Sequence, residues 1–333
     1  MSKQIEEELE VGFRAVYRID KILHSGSSPF QTVDIVDLAP FGRTLLIDGM
    51  IQSSQVDEFV YHESLVHPAM LLHPTGVKTV YIGGGGEGST AREVLRHPSV
   101  TKCVMVDIDA DVVSFCKMHL PENAHAFADP RLDLVIADAK GQLEAAPDGS
   151  FDLIIMDLDD PLEGGPCYQL YTKEFYATAK AKLAPDGILV TQSGQAGIKQ
   201  HKSVFTPIYR TLCTVFPQVV GYTQAVYSFC DEWGWNIAFN TPREGGMMMS
   251  VAEVDARIAQ RLPGSELKFL DGVSFQGLPA LSKLHRANMA AEERVLSTAS
   301  GTFLFMHSQG LCVAEANAAS ANGGADVAAK RVG

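Results

Sequence analysis

A run of glycines between an apolar segment and a helix constrains this chain more than any other feature. Residues 77–82 form a compact apolar run, too short for a helix and rich in β-branched side chains, which predicts a buried strand. Gly83-Gly84-Gly85-Gly86-Glu87-Gly88 follows, and glycines let a backbone turn sharply and approach a ligand where a Cβ would collide. Residues 89–95 predict the first turns of a helix, and residues 103–106 a second strand ending at Asp107. Gly83, Gly85 and Gly88 match G-x-G-x-x-G, and Asp107 lies where a ribose-binding acid belongs. The pattern is that of a nucleoside site on a Rossmann-like half. Glu87 decides which nucleoside: a pyrophosphate needs a helix N-terminus free of negative charge, whereas a carboxylate in the turn favours a cation. A sulfonium nucleoside with a free amino group fits, and NAD fits poorly. The plainer role for Glu87 is a helix-capping acid.

The alternation of strand and helix continues. Residues 111–118 are patterned as a helix, 132–136 as a strand running into Ala137 and Asp138, and 153–156 as a strand ending at Asp157. Residues 175–183 predict a helix and, after 184–187, residues 188–190 a strand, with a turn at 191–194. Ligands of open α/β sheets bind beyond the carboxyl ends of the strands, and three consecutive ends here carry Asp107, Asp138 and Asp157. A single such acid is ordinarily a helix cap. Together with Glu87 they gather round one crevice with a task for each on an adenosyl sulfonium: Glu87 for the amino group, Asp107 for the ribose hydroxyls, Asp138 for the adenine amino group. Asp157 and Asp160, in the run 157–161, lie beyond the nucleoside and suit an amine.

The flanks divide the chain. Residues 12–60 alternate in short β-like runs with turns at 39–42 and 48–49, and 57–72 has helical apolar spacing that His73-Pro74-Thr75-Gly76 ends. The expected architecture is α/β, a Rossmann-like methyltransferase-type parallel-sheet core with a small N-terminal antiparallel β-domain. Its expected divisions are 1–74 for the β-domain and linker helix, 75–245 for the catalytic domain, 246–312 for a helical extension and 313–333 for a poorly ordered tail. Residues 204–216 predict a helix, and 219–239 a closing β-pair interrupted at 231–235, where both tryptophans fall; core packing and a pocket wall are equally open to them. Helical spacing returns over 254–262 and 281–295.

A net charge of −13 argues against nucleic acid and anionic membrane as partners and is compatible with cationic substrates. The six cysteines show no C-x-x-C or metal-ligand spacing, so most are expected to be buried fillers and no metal is expected. With no 18-residue apolar run and no signal-peptide pattern at the acidic start, the expected setting is cytoplasmic.

Four stretches together resemble the spermidine and spermine synthase family of aminopropyltransferases: Leu46-Ile47-Asp48-Gly49-Met50-Ile51-Gln52, Asp57-Glu58-Phe59-Val60-Tyr61-His62-Glu63, the glycine turn, and Asp157-Leu158-Asp159-Asp160-Pro161. The similarity runs from about residue 12 through 240 and more weakly to 310. Residues 163–173 and Trp233-Gly234-Trp235 are similar to the thermospermine-forming members, and Glu87 stands where spermidine synthases typically have Asp. The resemblance implies decarboxylated S-adenosylmethionine as a co-substrate, no cofactor, and transfer of its aminopropyl group to spermidine. It implies donor contacts from Gln31, His62, Gly83, Gly85, Glu87, Asp107, Ile108, Asp138 and Ala139. It also implies catalysis by Asp157, Tyr61 and Asp160, with Gln192, Glu232 and Trp233 joining those three around the polyamine. His62 stands where glutamine is common in spermidine synthases, and Asp159, where many relatives have a small residue, is expected to face solvent. A homo-oligomer, dimer or tetramer, is implied by analogy.

Other readings compete. Putrescine as acceptor, or spermidine attacked at its other end, suits an acidic cleft equally. An S-adenosylmethionine-dependent N-methyltransferase shares the nucleoside site, but its donor's carboxylate would be repelled by Glu87. A polyamine-binding protein without turnover would have no use for Tyr61, Asp157 and Asp160 together, and Glu87 counts against a nicotinamide dehydrogenase.

Overall fold

The computed structural model describes residues 3–10, 12–161 and 167–299. Residues 163–166, the far end of the helical extension and the tail expected to be poorly ordered lie outside them. Five antiparallel strands come first: β1 (Gln4–Glu10), β2 (Phe13–Ser27), β3 (Thr32–Leu38), β4 (Gly42–Ile47) and β5 (Met50–Ser54), paired in chain order. Helix α1 (Glu58–Leu72) leads into β6 (Thr79–Gly84), α2 (Ser89–Leu95), β7 (Lys102–Asp107), α3 (Ala110–His119), the short α4 (Ala124–Phe127) and β8 (Leu132–Ile136). There follow α5 (Ala139–Ala145), β9 (Phe151–Asp157), α6 (Lys173–Lys182), β10 (Leu183–Gln195), α7 (Phe205–Cys213), β11 (Gln218–Val226) and β12 (Asp231–Phe239). Three helices close the described chain: α8 (Val251–Arg261), α9 (Gly272–Gly277) and α10 (Lys283–Ala291).

The second sheet runs β11-β12-β10-β9-β6-β7-β8, parallel from β10 to β8, with β12 antiparallel to both neighbours. This is the expected Rossmann-like architecture beside an antiparallel sheet. The strand order reverses between β6 and β9, the switch point at which such sheets bind ligands. Central β6 and β9 are apolar without alternation because helices cover both faces, burying Val80, Ile82, Leu153 and Ile155.

Helix α1 positions half of the site, and it is buried from Tyr61 through Leu72. Pro68 lies inside it and has no N–H for the carbonyl of Ser64. Tyr222 Oη donates to that carbonyl at 2.9 Å instead. At the helix end, Arg257 and Arg261 donate to the free carbonyls of Leu71 (2.5 Å) and Met70 (2.6 Å), which suits the negative pole of the helix. Buried Glu63 accepts the backbone N–H groups of Lys268, Phe269 and Leu270 at 2.8, 2.9 and 2.8 Å. The C-terminal segment is thereby tied to α1.

Three expectations are corrected. The turn expected at 191–194 is a continuation of β10, which stays paired with β12 through Gln192 and shifts register before Gln195. Gly194, at φ 70°, absorbs the irregularity. The interruption expected at 231–235 is the start of β12, and the hairpin turns earlier, at 227–230, with Cys230 at φ 58°. Of the described cysteines only Cys103 and Cys116 are buried, while Cys230 is exposed. No helix among the described residues is long and apolar enough to cross a membrane.

Candidate active site

The glycine turn joins three strand ends. Gly85 N–H donates to the carbonyl of Asp157 at 3.0 Å, and Gly86 N–H to Asp107 Oδ2 at 2.9 Å. Gly84 has φ 81°, and a Cβ there would lie 2.1 Å from the Asp157 carbonyl; on Gly86 it would meet Asp107 Oδ2 at 2.6 Å. Side chains at either position would push the strand ends apart. Gly83 packs against Met156 and Ala139.

Asp157, at the end of β9, carries a hydroxyl on each carboxylate oxygen: Tyr61 Oη at 2.8 Å on Oδ1 and Thr90 Oγ1 at 2.6 Å on Oδ2. The Tyr61 ring is set edge-on to Phe229 and tilted against Trp235, with centroids 5.8 and 5.5 Å away. Burial, then the Asp157 charge, pushes the Tyr61 phenol well above its ordinary range, so it remains a donor. Asp107 accepts from Gly86 N–H and, at 2.8 Å, from Asp109 N–H. Burial raises its carboxyl despite these bonds. Asp109 caps α3 and accepts from Ser28 Oγ (2.5 Å) and Gln31 Nε2 (3.0 Å), tying the β2–β3 turn of the first sheet to the rim of the site. Ile108 is exposed beside them.

Glu87 sits in a buried ionic chain. It accepts from Ser53 Oγ at 3.2 Å and from Ser89 Oγ, and His62 Nε2 lies 3.6 Å away. His62 Nδ1 meets Glu58 Oε2 at 2.8 Å, and Arg92 Nη2 reaches the same oxygen at 2.7 Å. Burial by itself would lower the pKa of His62, but the Glu58 hydrogen bond and the Glu87 charge raise it to about 9, so the ring is an imidazolium at neutral pH. Burial raises Glu87, offset in part by His62 and Ser89. Ligand atoms of Glu58, His62 and Glu87 lie within 4.8 Å of one another. A metal ion there would have to displace the Arg92 guanidinium and the imidazolium proton, so the trio is better met as an ion-pair chain.

Gln192 is the hub of the other wall. Its Nε2 donates to the Leu158 carbonyl (2.5 Å), Tyr171 Oη (2.8 Å) and Asp160 Oδ1 (3.2 Å), and its Oε1 accepts from Gly194 N–H (2.8 Å) and Trp233 Nε1 (3.2 Å). Trp233 is half-buried, packed on Phe229, whereas Trp235 is fully buried and stacked on Tyr222. The two tryptophans therefore divide between wall and core. Asp159 is exposed as a residue, while burial of its carboxyl by the surrounding protein and the charges of Asp160, Asp107 and Asp157 raise that carboxyl to about 7. Asp138 caps α5, accepting from the N–H groups of Lys140 (3.2 Å) and Gly141 (2.9 Å), next to buried Ala139. Glu232 is exposed at the start of β12.

Thr90, Glu58, Arg92 and Asp109 have no place in the expected site. Glu58 and His62, four apart on a predicted helix, offered a readable signal. Thr90 offered none, its partner being 67 residues away.

Residues 58–245 match the model of the spermine/spermidine synthase domain, and residues 5–55 that of the spermidine synthase tetramerisation domain. The chain is 46% identical to thermospermine synthase ACAULIS5 of Arabidopsis thaliana over 303 residues, 91% of this chain and 87% of that one. It is 40% identical to a polyamine aminopropyltransferase of Aeropyrum pernix, over 86% of this chain and 90% of the other. Among solved structures, a spermidine synthase in complex with the transition state analogue AdoDATO superposes with TM-score 0.80 at 27% identity, over 87% of this chain and 96% of that one.

Proposed function

The chain belongs to the spermine/spermidine synthase family of aminopropyltransferases, and we propose that it transfers the aminopropyl group of decarboxylated S-adenosylmethionine to spermidine, forming thermospermine. The observation that carries the chemistry is Asp157, held on both oxygens by Tyr61 and Thr90 at the edge of the glycine turn. The acceptor nitrogen attacks the methylene carbon next to the sulfonium. A C–N bond forms, the C–S bond breaks with its electron pair returning to sulfur, and neutral methylthioadenosine leaves.

A free amine of this kind has a pKa of about 10 and is mostly protonated in water. In this reading Asp157 orients the nitrogen and accepts its proton, and Asp160, fixed by Gln192, and Tyr61 hold it in line. Glu87 takes the donor's ammonium, with His62 beside it; Asp107 and Gln31 take the ribose and thioether side. Asp138 and Ala139 flank the adenine, Gly83, Gly85 and Ile108 line the nucleoside path, and Trp233 and Glu232 flank the polyamine. No metal or organic cofactor enters this scheme. The match to the tetramerisation domain supports a homo-oligomer, tetramer or dimer, built through the first sheet. The cytoplasm, without nucleic acid or membrane partners, belongs to the same proposal.

Release of methylthioadenosine from decarboxylated S-adenosylmethionine tests it. Release that depends on spermidine, with putrescine a poorer acceptor, supports the reading; release with putrescine alone makes the protein a spermidine synthase.

A further inference from the structure

His62 stands between two carboxylates, and its ring nitrogens are held unequally. Nδ1 lies 2.8 Å from both the carbonyl oxygen and Oε2 of Glu58, and both are acceptors, so this nitrogen keeps its proton. Nε2 faces Glu87 Oε1 at 3.6 Å, longer than a hydrogen bond. The proton on Nε2 is therefore the one the ring can give up. The charges along this buried chain balance: Glu87 is matched by His62, Glu58 by Arg92 at 2.7 Å and Glu93 by Arg96 at 2.9 Å, with Arg92 Nε joining Glu58 to Glu93 Oε1 at 3.0 Å. Around the His62–Glu87 pair, β9 brings the charge of Asp157, which favours the imidazolium, and β5 brings the uncharged Ser53 hydroxyl on Glu87. Helix α1 adds the Tyr61 ring, edge-on to His62, whose phenol stays protonated.

An ammonium placed at Glu87 disturbs that balance. It adds a positive charge to a buried pair that already has one, and an unmatched buried charge is costly. Loss of the Nε2 proton to water removes the excess. The N–H bond breaks with its electron pair staying on nitrogen, the ring becomes neutral, and the lone pair joins Glu87 Oε1 as a second acceptor for the ammonium's three N–H groups. The imidazolium that Glu58 and Glu87 sustain, with a pKa of about 9, is the state before this exchange. Methylthioadenosine is the donor without its aminopropyl group; it carries no ammonium and leaves the imidazolium in place.

We infer that His62 surrenders its Nε2 proton when the donor's ammonium arrives, one cation replacing another beside Glu87, so that the site tells fresh donor from spent product by charge. The inference rests on the reading of Glu87 as the seat of that ammonium and is independent of which amine is the acceptor. Nitrogen-15 NMR of ring-labelled histidine at pH 7, with the His62 signals identified by their loss in His62→Gln, reads the ring directly. The expected result is an imidazolium in the free enzyme and with methylthioadenosine, and a neutral ring with decarboxylated S-adenosylmethionine. The donor's own amine, with a pKa of about 10, stays charged, so its Kd should fall about tenfold from pH 7 to pH 8, while that of methylthioadenosine changes less than about twofold. An imidazolium that persists with the donor, a ring already neutral in the free enzyme, or equal deprotonation by methylthioadenosine overturns the exchange alone. Donor that binds Glu87→Gln as tightly as the wild type overturns the assignment of the ammonium to Glu87, and the exchange with it.

Discussion

Replacing Asp157 by Asn removes one charge and exchanges one acceptor oxygen for a donor. Both oxygens are in use, one by Tyr61 at 2.8 Å and one by Thr90 at 2.6 Å, so the amide nitrogen must face a hydroxyl that is itself a donor. The proton acceptor for the amine is lost as well. Removing a positioned base costs roughly 100-fold to 10,000-fold in rate, equivalent to about 3–5 kcal/mol in the barrier. The donor site is assigned to other residues, so donor affinity should change by less than about threefold. Rapid-quench measurement of methylthioadenosine at saturating amine, with calorimetric titration of the donor, separates the two effects. With an amine pKa of about 10, only about one molecule in a thousand is unprotonated at pH 7. The variant must draw on that fraction, so its deficit narrows as pH rises toward 9. Turnover within about threefold of wild type at pH 7, or a collapse of donor binding that accounts for the whole loss, refutes the reasoning.

His62 makes stability pH-dependent: its folded pKa of about 9 stands above the ordinary 6.5, so its contribution is full below about 6.5 and is lost as pH rises through 9. Urea unfolding at pH 6 and pH 10 should differ by about 3 kcal/mol from this group, and His62→Gln should remove that difference. Gly84→Ala would drive a Cβ to 2.1 Å from the Asp157 carbonyl at φ 81°; a loss of at least about 3 kcal/mol in thermal unfolding, together with loss of turnover, is expected. Glu63→Gln replaces a buried carboxylate that holds three backbone N–H groups. It should cost about 2–3 kcal/mol and make residues 267–271 the earliest site of proteolysis.

Much of the fold was written in local pattern. The glycine turn, the acids at the ends of β7 and β9 and the break after α1 depend on residues within a few positions of one another. The course of β10 through residues 191–195 was hidden because Thr191-Gln192-Ser193-Gly194 has turn composition, and only pairing with β12 keeps it extended. The tryptophans could not be sorted because their fates depend on Tyr222 and Gln192, which come from two other strands. In the site, Asp107 and Asp157 were legible as strand-end acids. Of the chain from Glu87 through His62 and Glu58 to Arg92, only the Glu58–His62 pair was within reach of a sequence reading; its links to Glu87 and Arg92 close across separate elements. Asp138, read as an acceptor for a ligand amine, also caps α5, a use that its place at the head of a helix made readable.

The identity of the tetraamine formed from spermidine tests the account most directly. Incubation with decarboxylated S-adenosylmethionine and spermidine, followed by chromatography that resolves the two isomers, should yield thermospermine as the main product. Spermine as the main product would mean that the triamine is held in the opposite direction and would contradict the account.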